Sequence, residues 1–132
     1  MNGNKALLDT NVIIFASKNQ IDLKKLLSTY DNFYTSIISY IEVYGFEFTN
    51  QEEKDLVDEL FEILEIVEVN KEIAEQVIAY RKSKTKKIKL PDAIILATAH
   101  HLSADLITDD WEDFKNVDKN IGLIKLSNYR IE

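Results

Sequence analysis

Acidic residues placed beside apolar segments are the part of this sequence best able to do chemistry. Asp9 stands between two apolar runs in ALLDTNVIIF, residues 6–15. An ionised carboxylate at the edge of a core is costly unless a group pairs with it, and no Lys or Arg lies between Lys5 and Lys18. Asp9 is therefore either a turn residue or helix cap, or a ligand of a bound cation. The cation interpretation requires further acids nearby.

Three further acids occupy similar places. Glu42 lies beside an apolar stripe of a predicted helix, Asp92 is in the first turn of a predicted buried helix, and Asp110 follows the apolar run LIT. Ligands of an open parallel sheet bind outside the carboxyl ends of its strands, where Asp9 and Asp110 are expected to meet. Such carboxylates raise one another's pKa unless a cation neutralises them. Each acid also has an ordinary alternative, as a cap, a helix-dipole partner or a solvent-facing residue.

The type of cation follows from the ligands available. The sequence has no cysteine, which excludes thiolate zinc sites and disulfides. Hard oxygen ligands favour Mg²⁺ or Mn²⁺ over Zn²⁺. The two histidines, His100 and His101, are adjacent and point about 100° apart on a helix. This disfavours metal-free catalysis in which two imidazoles act as an acid–base pair.

Alternating strand and helix patterns must position these acids. The predicted strands are KALL, NFYT, EIVEV, DLIT and GLIKL. The predicted helices start near Asn11 and at WEDF, or run through IDLKKLLSTY, IISYIEVYGFEF, QEEKDLVDELFEIL, NKEIAEQVIAYRKS and DAIILATAHHL. This alternation predicts a three-layer α/β/α fold with a central, mostly parallel sheet of four or five strands.

Length and composition indicate a single globular domain over residues 1–132. The hydrophobic fraction of 45% and the charged fraction of 30% are ordinary for a soluble globule. No apolar run approaches the length of a membrane span, and the start MNGNK lacks the hydrophobic segment of a signal peptide. We therefore expect a cytoplasmic protein without a membrane partner.

The distribution of charge qualifies the net value of −7. Twelve acids and only two lysines lie between Glu42 and Glu75, whereas RKSKTKKIK, residues 81–89, holds six of the sixteen basic residues. A positive face is thus possible on an acidic protein, although a solvated loop explains the basic run equally well.

Four segments resemble, in order, the acidic motifs of the PIN-domain nucleases. They are LLDTNVIIF, TSIISYIEVYGF, KLPDAIILATAHHLSADLIT and DDWEDF, and they cover nearly the usual length of that family. The first and third are the specific ones. The LPDA with ATA and a following LIT, together with the small size, is most similar to the VapC-type toxins of toxin–antitoxin pairs.

The resemblance implies roles for individual residues. It assigns metal ligation and catalysis to Asp9, Glu42, Asp92 and Asp110, with Asp109 and Asp113 as competitors for the fourth position. Asn11 and Thr108 match polar positions that support the site. RNA could follow a path along the lysines of the basic run, which are Lys84, Lys86, Lys87 and Lys89.

The resemblance also implies a function. It indicates an endoribonuclease that uses one or two Mg²⁺ or Mn²⁺ ions, forms a homodimer and is held inactive by a cognate antitoxin protein. The acidic helix at 51–64 and the aromatic residues before it are the expected contact surfaces.

Two alternatives compete with this interpretation. A receiver-like signalling module has a similar length and fold, but it needs a pair of acids after its first strand and a Lys followed by Pro. Here Asp9 stands alone, and Lys125 is followed by Leu126. A catalytically silent PIN fold kept for binding is the other alternative, although the acid set is complete.

Overall fold

A central sheet of five parallel strands organises the computed structural model, which describes residues 4–131. The strands are β1 (Lys5–Leu8), β2 (Asn32–Ser36), β3 (Glu65–Val67), β4 (Asp105–Thr108) and β5 (Leu123–Lys125). Their order is β3-β2-β1-β4-β5, so β1 is central and pairs with β2 on one side and β4 on the other. The predicted α/β fold with a mostly parallel sheet is confirmed, at the upper end of the expected strand number.

Helices connect the strands and cover both faces of the sheet. They are α1 (Thr10–Ser17), α2 (Leu23–Thr29), α3 (Ile37–Tyr44), α4 (Gln51–Ile63), α5 (Lys71–Lys82), α6 (Leu90–Leu102) and α7 (Trp111–Phe114), with a 3₁₀ helix at Leu126–Tyr129. None of those within residues 4–131 is both long and apolar enough to span a bilayer.

Side chains that alternate along the strands build a separate core on each face. Leu8 and Ile107 pack into the core that α1 and α4 cover, whereas Leu7 and Leu106 pack into the core under α5 and α6. Strands buried on both faces explain the continuous apolar runs of β1 and β4. They also fix the carboxyl ends of these two strands rigidly beside each other.

Helix α3 differs from its prediction in length and orientation. It ends at Tyr44 with Gly45 as its C-cap, and does not continue through Phe48 as the pattern predicted. The helical spacing of apolar residues places Ile41 on the predicted buried stripe beside Glu42, but Ile41 is 61% exposed. The face that packs carries Ser39 and Val43, because small polar side chains can also be buried when they find hydrogen-bond partners.

Helix α4 is amphipathic as predicted, but the face that it buries is rotated about the helix axis relative to the face that the apolar spacing predicts. Val57, Leu60 and Leu64 are buried, whereas Ile63 is 50% exposed. Not all apolar residues of this helix pack into the core, so part of its exposed surface is apolar.

The N-cap of α3 gives a stability prediction. The Ser36 hydroxyl is buried and accepts a hydrogen bond of 3.1 Å from the Ile38 backbone N–H. Ser36→Ala should lower the free energy of unfolding by about 1 kcal/mol, because this N–H loses its partner. Urea unfolding measures the change. Ser28→Ala, at an exposed position of α2, should stay within about 0.5 kcal/mol, and equal effects of the two changes would contradict the prediction.

Candidate functional site

Asp9 lies directly after the central strand, at the carboxyl edge of the sheet. The register pairs Leu8 with Ile107, and the Asp9 N–H donates to the Ile107 carbonyl at 3.1 Å. Asp9 is only 5% exposed. It caps α1, because its Oδ1 accepts from the Thr10 N–H at 2.8 Å, so the helix-cap interpretation holds. This cap involves only one of the two carboxylate oxygens and does not explain why the Asp9 side chain is buried.

Thr108 binds the other oxygen of Asp9. Its buried hydroxyl donates to Asp9 Oδ2 at 2.7 Å and accepts from the Asp110 N–H at 2.9 Å. One threonine at the end of β4 therefore fixes the Asp9 carboxylate and the turn that carries Asp110.

Glu42 reaches the same edge from α3. Its Oε1 accepts a hydrogen bond of 2.6 Å from the Thr10 hydroxyl, which lies 3.0 Å from the Ser39 hydroxyl. Neither Thr10 nor Ser39 was predicted from the sequence to contact the acids. Ser39 is three residues before Glu42, a spacing that places both on one side of a helix and could have identified it.

Asp92 lies in the first turn of α6, directly after Pro91. Its pKa is raised above the ordinary value, first by burial and then by the charges of Asp113, Asp110 and Glu42, while Lys89 opposes the increase. Carboxylates from α3, α6 and the segment after β4 therefore act on one another across a single crevice.

The acids after β4 differ in their relation to this crevice. Asp110 has a raised pKa because of burial and the charges of Asp113 and Asp109, and its Oδ2 lies 3.4 Å from Asn11 Nδ2. The charge of Asp113 raises the pKa of both Asp92 and Asp110, whereas the charge of Asp109 acts on Asp110. All three acids are exposed.

Asp9 has the most perturbed pKa of these acids. Its pKa is raised from 3.8 to about 6, mainly by burial and to a smaller extent by the charges of Asp110 and Asp92, while the hydrogen bonds from Thr108 and Thr10 oppose the increase. Perturbed acids in a crevice are typical of functional sites, because they are the groups whose charge the fold alone does not satisfy.

The donor set suits a hard divalent cation. All the candidate ligands are carboxylate oxygens, and their mutual repulsion is what such an ion would relieve. No three acidic or histidine side chains within residues 4–131 are grouped tightly enough to hold a metal ion as they stand. Glu42 is hydrogen-bonded to Thr10, and Asp110 lies 3.4 Å from Asn11.

One lysine of the basic run lies near the crevice acids. Lys89 precedes α6 and lowers the pKa of both Asp92 and Asp110, so it is the lysine near the acids. Lys86 Nζ donates to the carbonyls of Glu112 and Lys115. Lys84 and Lys87 are exposed.

Comparison with known proteins supplies a family. The PIN domain model matches residues 6–120, which include all four candidate acids. The chain belongs to the PIN domain family. The resemblance drawn from the acidic motifs is thus confirmed, and the match argues against the receiver-like alternative. Among curated proteins, no match to this chain is found.

Solved structures share the fold of this PIN domain over nearly its whole length. A toxin–antitoxin complex from Klebsiella pneumoniae has a chain 29% identical with a TM-score of 0.74, covering 96% of this chain and 99% of the other. A DNA-bound VapBC from Salmonella typhimurium has 20% identity and a TM-score of 0.77, over 93% and 98%. VapBC2 from Rickettsia felis, bound to a promoter DNA fragment, has 22% identity and a TM-score of 0.76, over 92% and 98%.

Proposed function

We propose that this PIN domain is a divalent-metal-dependent endoribonuclease and the toxin of a toxin–antitoxin pair. Family membership and the likeness to toxin–antitoxin structures support a toxin nuclease. The observation that carries the proposal is the electrostatic coupling of Asp9, Asp92 and Asp110, from three separate elements, at the carboxyl ends of β1 and β4.

Asp9, Glu42, Asp92 and Asp110 would hold Mg²⁺ or Mn²⁺, with one or two ions per site. When bound, a divalent cation supplies Lewis-acid activation of the attacking water and neutralises charge at the scissile phosphate. In the metal-free chain burial and neighbouring carboxylates raise the pKa of Asp9, and a bound cation would relieve this cost of its negative charge. Thr108 keeps its carboxylate oriented, and Asn11 contacts Asp110.

Lysines of the basic run would hold the RNA backbone. The segment before α6 exposes Lys84, Lys87 and Lys89. Lys86 donates a hydrogen bond to the Lys115 carbonyl, directly after α7. Phosphates held there would bring the chain of RNA over Asp92 without requiring the acidic crevice itself to attract it.

The direct test is cleavage of single-stranded and looped RNA by the purified chain. We expect cleavage with Mg²⁺ or Mn²⁺ and none with excess EDTA, with the Asp variants treated in the Discussion as catalytic controls. Cleavage that persists in EDTA would refute the metal requirement. No cleavage of any RNA in either metal, by a folded chain that binds the metal, would favour the silent-PIN alternative.

Toxicity tests the biological half of the proposal. Expression in a bacterial host should arrest growth, and Asp9→Asn should relieve the arrest at equal protein level. We propose a homodimer, which light scattering of the purified chain would measure. A cytoplasmic location and an independent domain over residues 1–132 also belong to the proposal.

An apolar groove offers a surface for the antitoxin. It has a volume of about 150 Å³ and lies between α1, α2 and α4, where Leu56, Leu60 and Ile63 line one wall. Tyr40, Tyr44 and Phe61 stack at centroid distances of 5.1 to 5.5 Å, and Tyr44 bonds to Asp58 at 2.6 Å, joining α3 to α4. An amphipathic segment of the antitoxin fits such a groove, and its basic side chains would meet the acidic back of α4.

Thr108 gives a prediction about metal affinity. Thr108→Val keeps the shape of a fully buried residue but removes the hydrogen bond to Asp9. We expect binding of Mn²⁺ to weaken by about 10- to 100-fold, because partners of metal-ligating carboxylates tune affinity by that amount. Isothermal titration calorimetry measures it. Thr98→Val, at an equally buried threonine whose hydroxyl bonds within α6, is the matched control, and equal affinities of the two variants would contradict the role of Thr108.

A further inference from the structure

A second binding feature lies next to the acidic crevice, at the carboxyl ends of β4 and β5. A cleft of about 410 Å³ is lined by Trp111, by Lys125 and Ser127, and by four acids, which are Asp109, Asp110, Glu112 and Asp113. Its size is within the range of small-molecule sites. Because Asp110 belongs to both, the cleft continues directly from the proposed metal site.

Trp111 is not needed to hold this segment in place. In the single turn of α7, Phe114 is buried and packs into the core under α6, whereas Trp111 is partly exposed. The Lys115 N–H closes the turn on the Trp111 carbonyl at 3.0 Å, a backbone contact that any residue supplies. A large aromatic ring is thus left facing a polar cleft.

Two lysines approach the indole ring. Lys125 Nζ lies 4.6 Å and Lys115 Nζ 5.4 Å from the Trp111 ring centroid. Lys86 donates to carbonyls of the same turn. Lys115 is also paired with Glu112 at 2.9 Å, so Lys125 is the lysine of the cleft lining that, among residues 4–131, is free to meet a ligand's negative charge beside the ring.

An aromatic ring beside a cation suits one nucleotide of a single-stranded nucleic acid, because the ring can stack on the base and the cation can bind the phosphate. We propose that Trp111 is the platform of a nucleobase subsite, with Lys125 holding an adjacent phosphate of the RNA whose scissile phosphate lies at the acids. The inference rests on the proposed ribonuclease function and names how that site would hold its substrate. Aromatic stacking combined with a cationic groove is the general means of binding single strands without duplex readout.

Steady-state kinetics tests the role of the platform. Trp111→Ala should raise KM for single-stranded RNA by roughly 5- to 100-fold with kcat changed less than about threefold, while Trp111→Phe should keep KM near the parent value. Lys125→Gln should raise KM as well. Ile78→Ala, at an exposed position of α5, is the control and should change neither constant. A KM unchanged in Trp111→Ala, or a loss confined to kcat, would overturn the subsite.

Intrinsic fluorescence provides a test that does not depend on catalysis. Trp111 is the only tryptophan, so its emission reports this cleft alone. In EDTA at low ionic strength, a single-stranded RNA pentamer should quench it, and inorganic tripolyphosphate should not, since it lacks bases. Absent quenching by RNA, or equal quenching by tripolyphosphate, would overturn the proposal even if the chain cleaves RNA. Quenching without any cleavage by the parent chain would support the subsite and refute the nuclease.

Discussion

Asp92→Asn should lower metal-dependent cleavage of RNA by at least about 100-fold. Loss of groups that merely support a metal ligand costs about 10- to 100-fold, so loss of a ligand charge is expected to cost more. Asp92 is the residue on which the charges of Asp113, Asp110 and Glu42 act together, so its carboxylate lies where the acids of α3 and α7 converge. Initial rates on a fluorescently labelled RNA, at saturating Mg²⁺, give the ratio.

The matched control is Glu75→Gln, which removes one negative charge from the exposed surface of α5. It should cleave within about twofold of the parent. Circular dichroism and thermal unfolding must show that Asp92→Asn is folded. Equal rates for Asp92→Asn and Glu75→Gln would remove the catalytic assignment of the crevice, whatever the family match implies.

Asp9→Asn should make the metal-free chain more stable at neutral pH while it abolishes activity. The pKa of Asp9 is raised in the folded state, so its contribution to stability is complete below the unfolded value of about 4 and is lost as pH rises through about 6. At pH 7.5 the folded parent therefore holds an ionised, buried carboxylate at a cost of up to about 3 kcal/mol. Asn carries no charge and can accept from Thr10 and donate to Thr108, so it removes this cost.

Thermal unfolding in EDTA between pH 4.5 and pH 7.5 measures this effect. The Tm difference between Asp9→Asn and the parent should be small at the acidic end and grow with pH to roughly 10 °C, the shift expected for such a free energy in a chain of this size. Added Mg²⁺ should stabilise the parent and not the variant. A variant less stable than the parent at pH 7.5 in EDTA would mean that the Asp9 carboxylate is satisfied by the fold alone. Glu75→Gln should follow the parent across the range.

The fold was predictable because its signals are local. The apolar runs of β1 and β4 and the helical periodicities between them are visible in any short window, and they specify a parallel sheet. The end of α3 at Tyr44 was not predicted, since the apolar residues after Gly45 continue a helical pattern that the backbone does not follow. The exposure of Ile41 and Ile63 was not predicted either, because a single sequence does not show which apolar side chains remain outside the core.

The candidate site was predictable in its acids and less so in its hydroxyls. Asp9 and Asp92 are conspicuous as charges beside apolar residues. Thr10 and Ser39 resemble ordinary helix residues, and only the packing of α1 against α3 brings them to Glu42. The raised pKa of Asp9 likewise depends on how deeply the end of β1 is covered, which is a property of the assembled layers.

Under the proposed function, the insertion of β1 between β2 and β4 governs when during synthesis the chain can become active. Asp9 is translated among the first residues, but its neighbour Thr108 is supplied by a strand made near the end of synthesis. An unfinished chain on the ribosome therefore has no assembled nuclease centre under the proposed function.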